Sequence, residues 1–326
     1  MLPRSVFFSI HIAASLFISL SISSSVTAET VKITPLGSHD GEFCSRDRAL
    51  VMEDPNGTRI LYDAGQTVMG AADKRLGEID IVLVTHMHGD HVGNQHIKAV
   101  NAGSCAKPET SVSALPATNS VNIALLKKSK MVTGSEMPAF FANKLAAYGG
   151  DKNDSILVRF GASVELGGVR ITTVPAAHSN GVAGQLIEGD LGKLLSAVGL
   201  SAYAGPPTGY VLTFSNGLVV YLSGDTGITA EQRTVVGAYY QPKLAIMNIG
   251  DTYTNGPKEA AYVVNRLVKP VSVIASHANE AATVNGKLKA GTRTELFKQS
   301  VTVPVLIPLS GKTMEFTASG KCSKGC

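Results

Sequence analysis

The stretch Ile81-Val82-Leu83-Val84-Thr85-His86-Met87-His88-Gly89-Asp90-His91 constrains this chain more than any other. A run of aliphatic, mostly β-branched residues reads as a buried strand, and it stops abruptly in three histidines and one aspartate within six positions. Imidazole nitrogens and carboxylate oxygens suit Zn²⁺ and similar first-row divalent ions. His86 and His88, at alternate positions, can aim two rings at one ion, which leaves Asp90 and His91 for a second. A polar turn after a core strand is the plainer alternative, but polar groups crowded this densely are costly to bury unless something binds them.

The hexapeptide His86-Met87-His88-Gly89-Asp90-His91 resembles the HxHxDH signature of the metallo-β-lactamase superfamily of hydrolases. The resemblance implies an α/β fold, a four-layer αββα sandwich in which ligands from both halves meet at one edge. It also asks for three more ligands: a distant His for the first ion, an Asp bridging both ions, and a last His for the second. Val169–Pro175 alternates like a strand and runs into His178, which fills the first place. Leu218–Leu222 is followed by Ser223-Gly224-Asp225-Thr226-Gly227, where Asp225 resembles the bridge. A carboxylate can give one oxygen to each of two ions, and Thr226 suits a helix cap in the same turn. Val271–Ser276 ends in His277, the last ligand. The resemblance thus assigns His86, His88, Asp90, His91, His178, Asp225 and His277 to two divalent ions, taken as Zn²⁺, with Mn²⁺ or Fe²⁺ also suited to these ligands.

Other segments read as follows. Asp54-Pro55-Asn56-Gly57 between apolar runs signals a hairpin, and it leads into Asp63-Ala64-Gly65. Asp63 resembles the family's Asp that supports the site from behind the ligands. His39 is expected to be an exposed loop residue. Val92–Val100 reads as a helix packed on the sheet, with His96 structural. Ser111–Ser129 reads as a strand then a helix, and Met137–Tyr148 as a short amphipathic helix. The glycine-rich Gly181–Gly209, carrying Leu191, Leu194, Leu195, Val198, Leu200 and Tyr203, is expected to form a lid or one wall of the substrate cleft, the alternative being a surface helix with an apolar face.

Met1–Ala28 has a lone Arg4, an apolar middle and Val26-Thr27-Ala28 before Glu29, the layout of a secretory signal peptide. Residues 29–326 then form a single domain, with no stable membrane anchor once the signal is removed and a periplasmic or secreted location. Export permits disulfides, and Cys44, Cys105, Cys322 and Cys326 allow three pairings. The tail pair closing on itself, with Cys44 joined to Cys105, is preferred. A formal net charge of +4, or +3 after loss of Arg4, makes no case for a nucleic-acid partner. The expected partner is a small-molecule substrate, and the oligomeric state is left open.

Ser223–Gly227 resembles the bridge motif of the branch that contains ascorbate-6-phosphate lactonase and N-acylphosphatidylethanolamine phospholipase D. The chemistry implied is attack by a metal-bridging hydroxide, with Asp90 taking the proton as the intermediate collapses. Because the sequence shows no concentrated Lys or Arg near the ligand loops, a lactone or carboxylic ester is preferred as substrate. A phosphodiesterase or phospholipase D-type activity ranks second and a β-lactamase third. An inactive metal-binding or partner-binding protein is the reading from outside enzymology.

Overall fold

The structure is a computed structural model that describes Met1 and residues 29–326; the signal-peptide expectation falls on residues 2–28, outside the described residues. Two large sheets face each other. One has eight strands in the order Ser155–Leu157, Lys130–Thr133, Ile81–Leu83, Arg59–Tyr62, Leu50–Glu53, Val31–Pro35, Met314–Phe316 and Cys322–Lys324. The other has seven: Ser163–Leu166, Val169–Pro175, Thr208–Thr213, Val219–Leu222, Leu244–Asn248, Ser272–Ser276 and Val305–Leu306.

Strand periodicity explains why both sheets are covered on both faces. In the first, Leu50, Met52, Ile60, Tyr62, Ile81 and Leu83 point between the sheets, while Val51, Leu61, Val82 and Val84 point outward. The outward set packs under the helices Asn119–Lys127 and Met137–Ala147 through residues such as Val121 and Phe141. In the second, Tyr210, Leu212, Val220, Leu222, Ile246 and Ile274 point inward. Val211, Tyr221, Ala245, Met247, Val273 and Ala275 face the helical segments Pro257–Tyr262, Val263–Val268 and Arg293–Ser300. The layers are therefore αββα, as the resemblance implied. Each buried aliphatic side chain contributes about 1.5–3 kcal/mol, so the sandwich is the rigid frame for everything at its edge.

Strand direction selects which edge matters. Arg59–Tyr62, Ile81–Leu83 and Lys130–Thr133 run parallel, as do Val219–Leu222, Leu244–Asn248 and Ser272–Ser276. Val169–Pro175 joins the second set through two antiparallel pairings with Thr208–Thr213 as the intermediary. The segments leaving the C-terminal ends of these strands carry Asp63, His86–His91, His178, Asp225 and His277, all at one edge of the sandwich, as open α/β sheets place their sites.

Three expectations need correction. Val92–Val100 is not a helix: the chain makes one turn, Gly89–Val92, and Gly93 leaves it in the left-handed region at φ 75°. A side chain there would collide with the Gly65 carbonyl and Asn119, so this close crossing requires glycine and ends the helix. Gln95–His96 then pairs as a short strand with Val112–Ser113. His39 is half-buried beside Ser38 and not exposed. Gly181–Gly209 folds as two paired strands around the helix Asp190–Val198, and Val182, Leu186 and Ala204 join the outer core of the first sheet. Leu191, Leu194 and Val198 are exposed on that helix, so its apolar face is turned to solvent.

The hairpin at Asp54–Gly57 has the expected register, Met52 opposite Ile60 and Glu53 opposite Arg59. Cys44 is bonded to Cys105 and Cys322 to Cys326. The first bridge ties positions 61 residues apart and the second positions 4 apart. Replacing Cys44 and Cys105 together by serine is expected to lower unfolding stability by about 2–4 kcal/mol, because the longer loop restricts the unfolded chain more. Loss of the tail bridge should cost clearly less. Denaturant midpoints of the two double variants measure this, and equal midpoints would contradict it.

Candidate metal centre

The centre is assembled from backbone that one sheet cannot satisfy alone. Beyond Leu83 the strand has ended and the chain runs on toward the edge, where the carbonyls of Val84 and Thr85 take their hydrogen bonds from the opposite sheet. The Tyr210 hydroxyl donates to Val84 O at 2.6 Å, and the Thr208 hydroxyl to Thr85 O at 2.9 Å. Met87 N–H donates to Asn180 Oδ1 at 2.9 Å, so the stretch between the first two histidines is pinned by a residue two positions after His178. Paired in this way, the buried polar backbone costs little and the imidazoles have a fixed base.

All seven expected ligands converge. His86 Nε2 lies 3.0 Å from His88 Nδ1, which lies 3.2 Å from His178 Nε2. Asp225 Oδ2 stands 3.0 Å from His277 Nε2, 3.3 Å from His91 Nε2, 3.8 Å from His178 Nε2 and 3.9 Å from His86 Nε2. Asp90 Oδ2 is 3.3 Å from His277 Nε2 and 3.8 Å from His91 Nε2. The donor atoms form three overlapping groups, His86/His88/His178, His86/His91/Asp225 and Asp90/His91/His277, each within 4.8 Å. Asp225 stands where the first and last of these meet.

Whether a cation suits this arrangement is tested by its orphaned atoms. His91 Nε2, both ring nitrogens of His277 and Asp225 Oδ1 are buried without a hydrogen-bond partner. Each such atom costs about 1–3 kcal/mol, and for His91 Nε2 and His277 Nε2, which both face Asp225 Oδ2 at 3.3 and 3.0 Å, that cost is what a cation would relieve. The set is nitrogen and oxygen only, suited to Zn²⁺, Mn²⁺ or Fe²⁺. The residues fit the group.

Behind the ligands, Asp63 decides how they are aimed. Its carboxylate is fully buried, accepts from Thr85 N–H at 2.9 Å and the Thr85 hydroxyl at 2.8 Å, and lies 2.8 Å from His91 Nδ1. His91 therefore carries its proton on Nδ1 and turns the lone pair of Nε2 to the centre. Thr85 Oγ1, having given its proton to Asp63, accepts from His86 Nδ1 at 3.0 Å and orients that ring likewise. The sequence reading found Asp63 and missed Thr85, whose only signal is its place between the strand and His86.

Burial first, then the neighbouring His91 imidazole, holds His86 well below the ordinary histidine value. Burial and His178 lower His88, and burial lowers His178. His91 goes the other way: burial opposes its charge, but Asp225, Asp63 and Asp90 together raise it well above the usual value. Burial would raise Asp225, yet His91 and His277 hold it well below the carboxylate range. Without a cation, the cluster thus favours a proton on His91.

The ligands open into a cavity of about 460 Å³, whose other walls include Ser45, Arg46, Arg48, Ser179, Tyr253 and Asn279. Arg48 is buried; its Nε and Nη2 each donate to Asp90 Oδ2 at 3.3 Å, and Nη2 also donates to Asn279 Oδ1 at 2.6 Å. The expectation of no concentrated Lys or Arg near the ligand loops is corrected by these two arginines, Arg46 and Arg48, on one cavity wall. Both arginines come from a loop some forty residues before the histidine motif, and no local pattern marked it. No residue of Gly181–Gly209 lines this cavity, which corrects the lid expectation.

A family model described as a beta-lactamase superfamily domain matches residues 58–278, a span that holds all seven side chains. A UPF0173 metal-dependent hydrolase of Herpetosiphon aurantiacus is 26% identical over 268 residues, 81% of this chain and 92% of that protein. Another, of Polynucleobacter asymbioticus, is 30% identical over 241 residues, 74% of this chain and 71% of its own. Among solved structures, Igni18, a metallo hydrolase of Ignicoccus hospitalis, is 22% identical with a TM-score of 0.58, covering 88% of this chain and 98% of that one. That likeness is one of fold.

Two outcomes follow from this geometry. Asp63→Ala should weaken metal binding about 10- to 100-fold, because His91 loses the partner that fixes its tautomer; chelator competition measures it, and unchanged affinity would refute the orienting role. Metal must also displace the His91 proton, so affinity should rise with pH and go on rising above about pH 6.5, approaching about tenfold per unit while one proton is released. A flat profile between about pH 6 and about pH 8 would count against that proton.

Proposed function

This chain belongs to the beta-lactamase superfamily and is a metal-dependent hydrolase; from that premise we propose that it uses two divalent ions to hydrolyse a small carboxylic ester, a lactone foremost. The observation that carries the two-ion reading is Asp225 Oδ2, within 3.9 Å of an imidazole nitrogen from each of His86, His91, His178 and His277. His86, His88 and His178 would hold the first ion, Asp90, His91 and His277 the second, and Asp225 both. When bound, such ions lower the pKa of water and polarise the scissile group.

The chain's own residues do the remaining work. Asp63 and Thr85 keep the His91 and His86 rings aimed at the centre. Asp90, with a fifth of its side chain open to the cavity, is the carboxylate that a substrate proton can reach. His91, His277 and Arg48 outweigh its burial and hold its pKa well below the usual carboxylate range, so a proton taken there is passed on and not retained. No serine or cysteine nucleophile is required.

Arg46 and Arg48 on the cavity wall favour a second reading, phosphodiester hydrolysis, since cationic side chains stabilise phosphoryl oxygens. Export to an oxidising compartment is part of the proposal as well, supported by the two disulfides.

A panel of lactones, phosphodiesters and a cephalosporin, offered to the metal-loaded chain, tests the assignment. Lactones are expected to show the highest kcat/KM, and phosphodiesters turned over faster would promote the second reading. Asp225→Ala should leave less than a full complement of both ions and cost at least about 10²-fold in turnover. Undiminished activity and metal content in that variant would remove Asp225 as the bridge.

A further inference from the structure

Besides its metal-ligand side chains, the cavity is lined by Ser45, Arg46, Arg48, Ser179, Tyr253 and Asn279, with Ala106 beside them. Among the described residues, its acids are Asp90 and Asp225, both within the ligand cluster. Arg48 is committed, buried against Asp90 and Asn279. Arg46 is not: it is exposed on the cavity wall and makes no ion pair or side-chain hydrogen bond among the described residues.

The backbone on either side of Arg46 is held from every direction. Cys44 is bonded to Cys105, Ser45 N–H donates to Cys105 O at 3.1 Å, and the Ser45 hydroxyl to Ala106 O at 2.8 Å. The buried Asp47 carboxylate accepts from Cys44 N–H at 2.8 Å and Ser38 N–H at 2.9 Å. Arg48 donates back to Ser45 O at 3.3 Å and Asp47 O at 3.0 Å. Such anchoring of four loop residues leaves one guanidinium free at the cavity wall on a base that need not be ordered when a ligand arrives, which is how binding sites reduce their entropic cost.

We propose that Arg46 is a substrate-anchoring residue, and that the substrate carries a second anionic group, a carboxylate or a phosphate, apart from the bond that is cleaved. The proposal rests on the hydrolase reading of the same cavity and narrows it to anionic substrates. A guanidinium matches either group with two parallel hydrogen bonds. With the ligand carboxylates engaged by cations, no acid on the wall competes for it.

The test is calorimetric titration of the metal-loaded full chain with α,ω-dicarboxylates from malonate to adipate, each against the monocarboxylate of equal length. One carboxylate can occupy the metal side, so the gain from the second isolates the distal anchor. The wild-type chain is expected to prefer the dicarboxylate of best length by about tenfold or more. Arg46→Gln should abolish that preference while monocarboxylate affinity and metal content stay unchanged, and Arg46→Lys should keep part of it. A matching series of phosphonocarboxylates separates the two sources: a larger Arg46-dependent gain there assigns phosphate, a smaller one carboxylate. A preference retained in Arg46→Gln, or no preference at any length in wild type, overturns the proposal. Because the readout is binding, failure of the ester panel would remove the hydrolase reading while these titrations still decide Arg46.

Discussion

A carboxylate buried among four imidazoles is the interaction on which the rest of this molecule depends. Asp225 is almost wholly removed from water and has one oxygen without a hydrogen-bond partner. Burying such a group costs several kcal/mol, and cation-ready neighbours recover it only when their geometry is held tightly. His91 and His277 draw its pKa down, while Asp225, Asp63 and Asp90 draw that of His91 up. Neither partner is stable there alone. The surrounding structure reads as the means of keeping them together.

Those means come from both halves of the sandwich. The inner core binds the two sheets face to face, so loops leaving their C-terminal edges meet within ångströms. Hydrogen bonds from Tyr210 and Thr208 to the backbone before His86 then fix one loop against the opposite sheet. Packing sets the distance between the halves, and these bonds set their register. A single sheet offers no equivalent, because every ligand beyond His91 belongs to the second half.

The same division appears on the substrate side. Buried Arg48 ties Asp90 to Asn279, linking the histidine motif to the segment after His277. Burial pushes the neighbouring Asp47 carboxyl up to about 6, with the N–H groups of Cys44 and Ser38 opposing that rise. The loop Cys44–Arg48 therefore spends most of its polar groups on its own structure, while the exposed Arg46 on the cavity wall makes no side-chain hydrogen bond among the described residues. Within Gly181–Gly209, in contrast, Val182, Leu186 and Ala204 pack into the outer core of the first sheet, and the segment does not line that wall.

Much of this was legible in the residues. Alternating apolar positions declare the strands, Asn56-Gly57 declares the hairpin, and the seven candidate ligands follow strand-like runs, because metal chemistry demands particular side chains and strand ends deliver them. Local pattern misled at Val92–Val100, where the crossing of Gly93 over Gly65, a contact between distant segments, ends the helix. It was silent on Thr85, Arg48 and Arg46, whose roles lie in what stands opposite them and not in their neighbours along the chain. By itself the sequence determined which chemistry was available and which strands would carry it. Only the tertiary structure decided which cations and hydrogen-bond partners share the cavity, since those distances follow from how two sheets pack, and packing is a property of residues far apart in the chain.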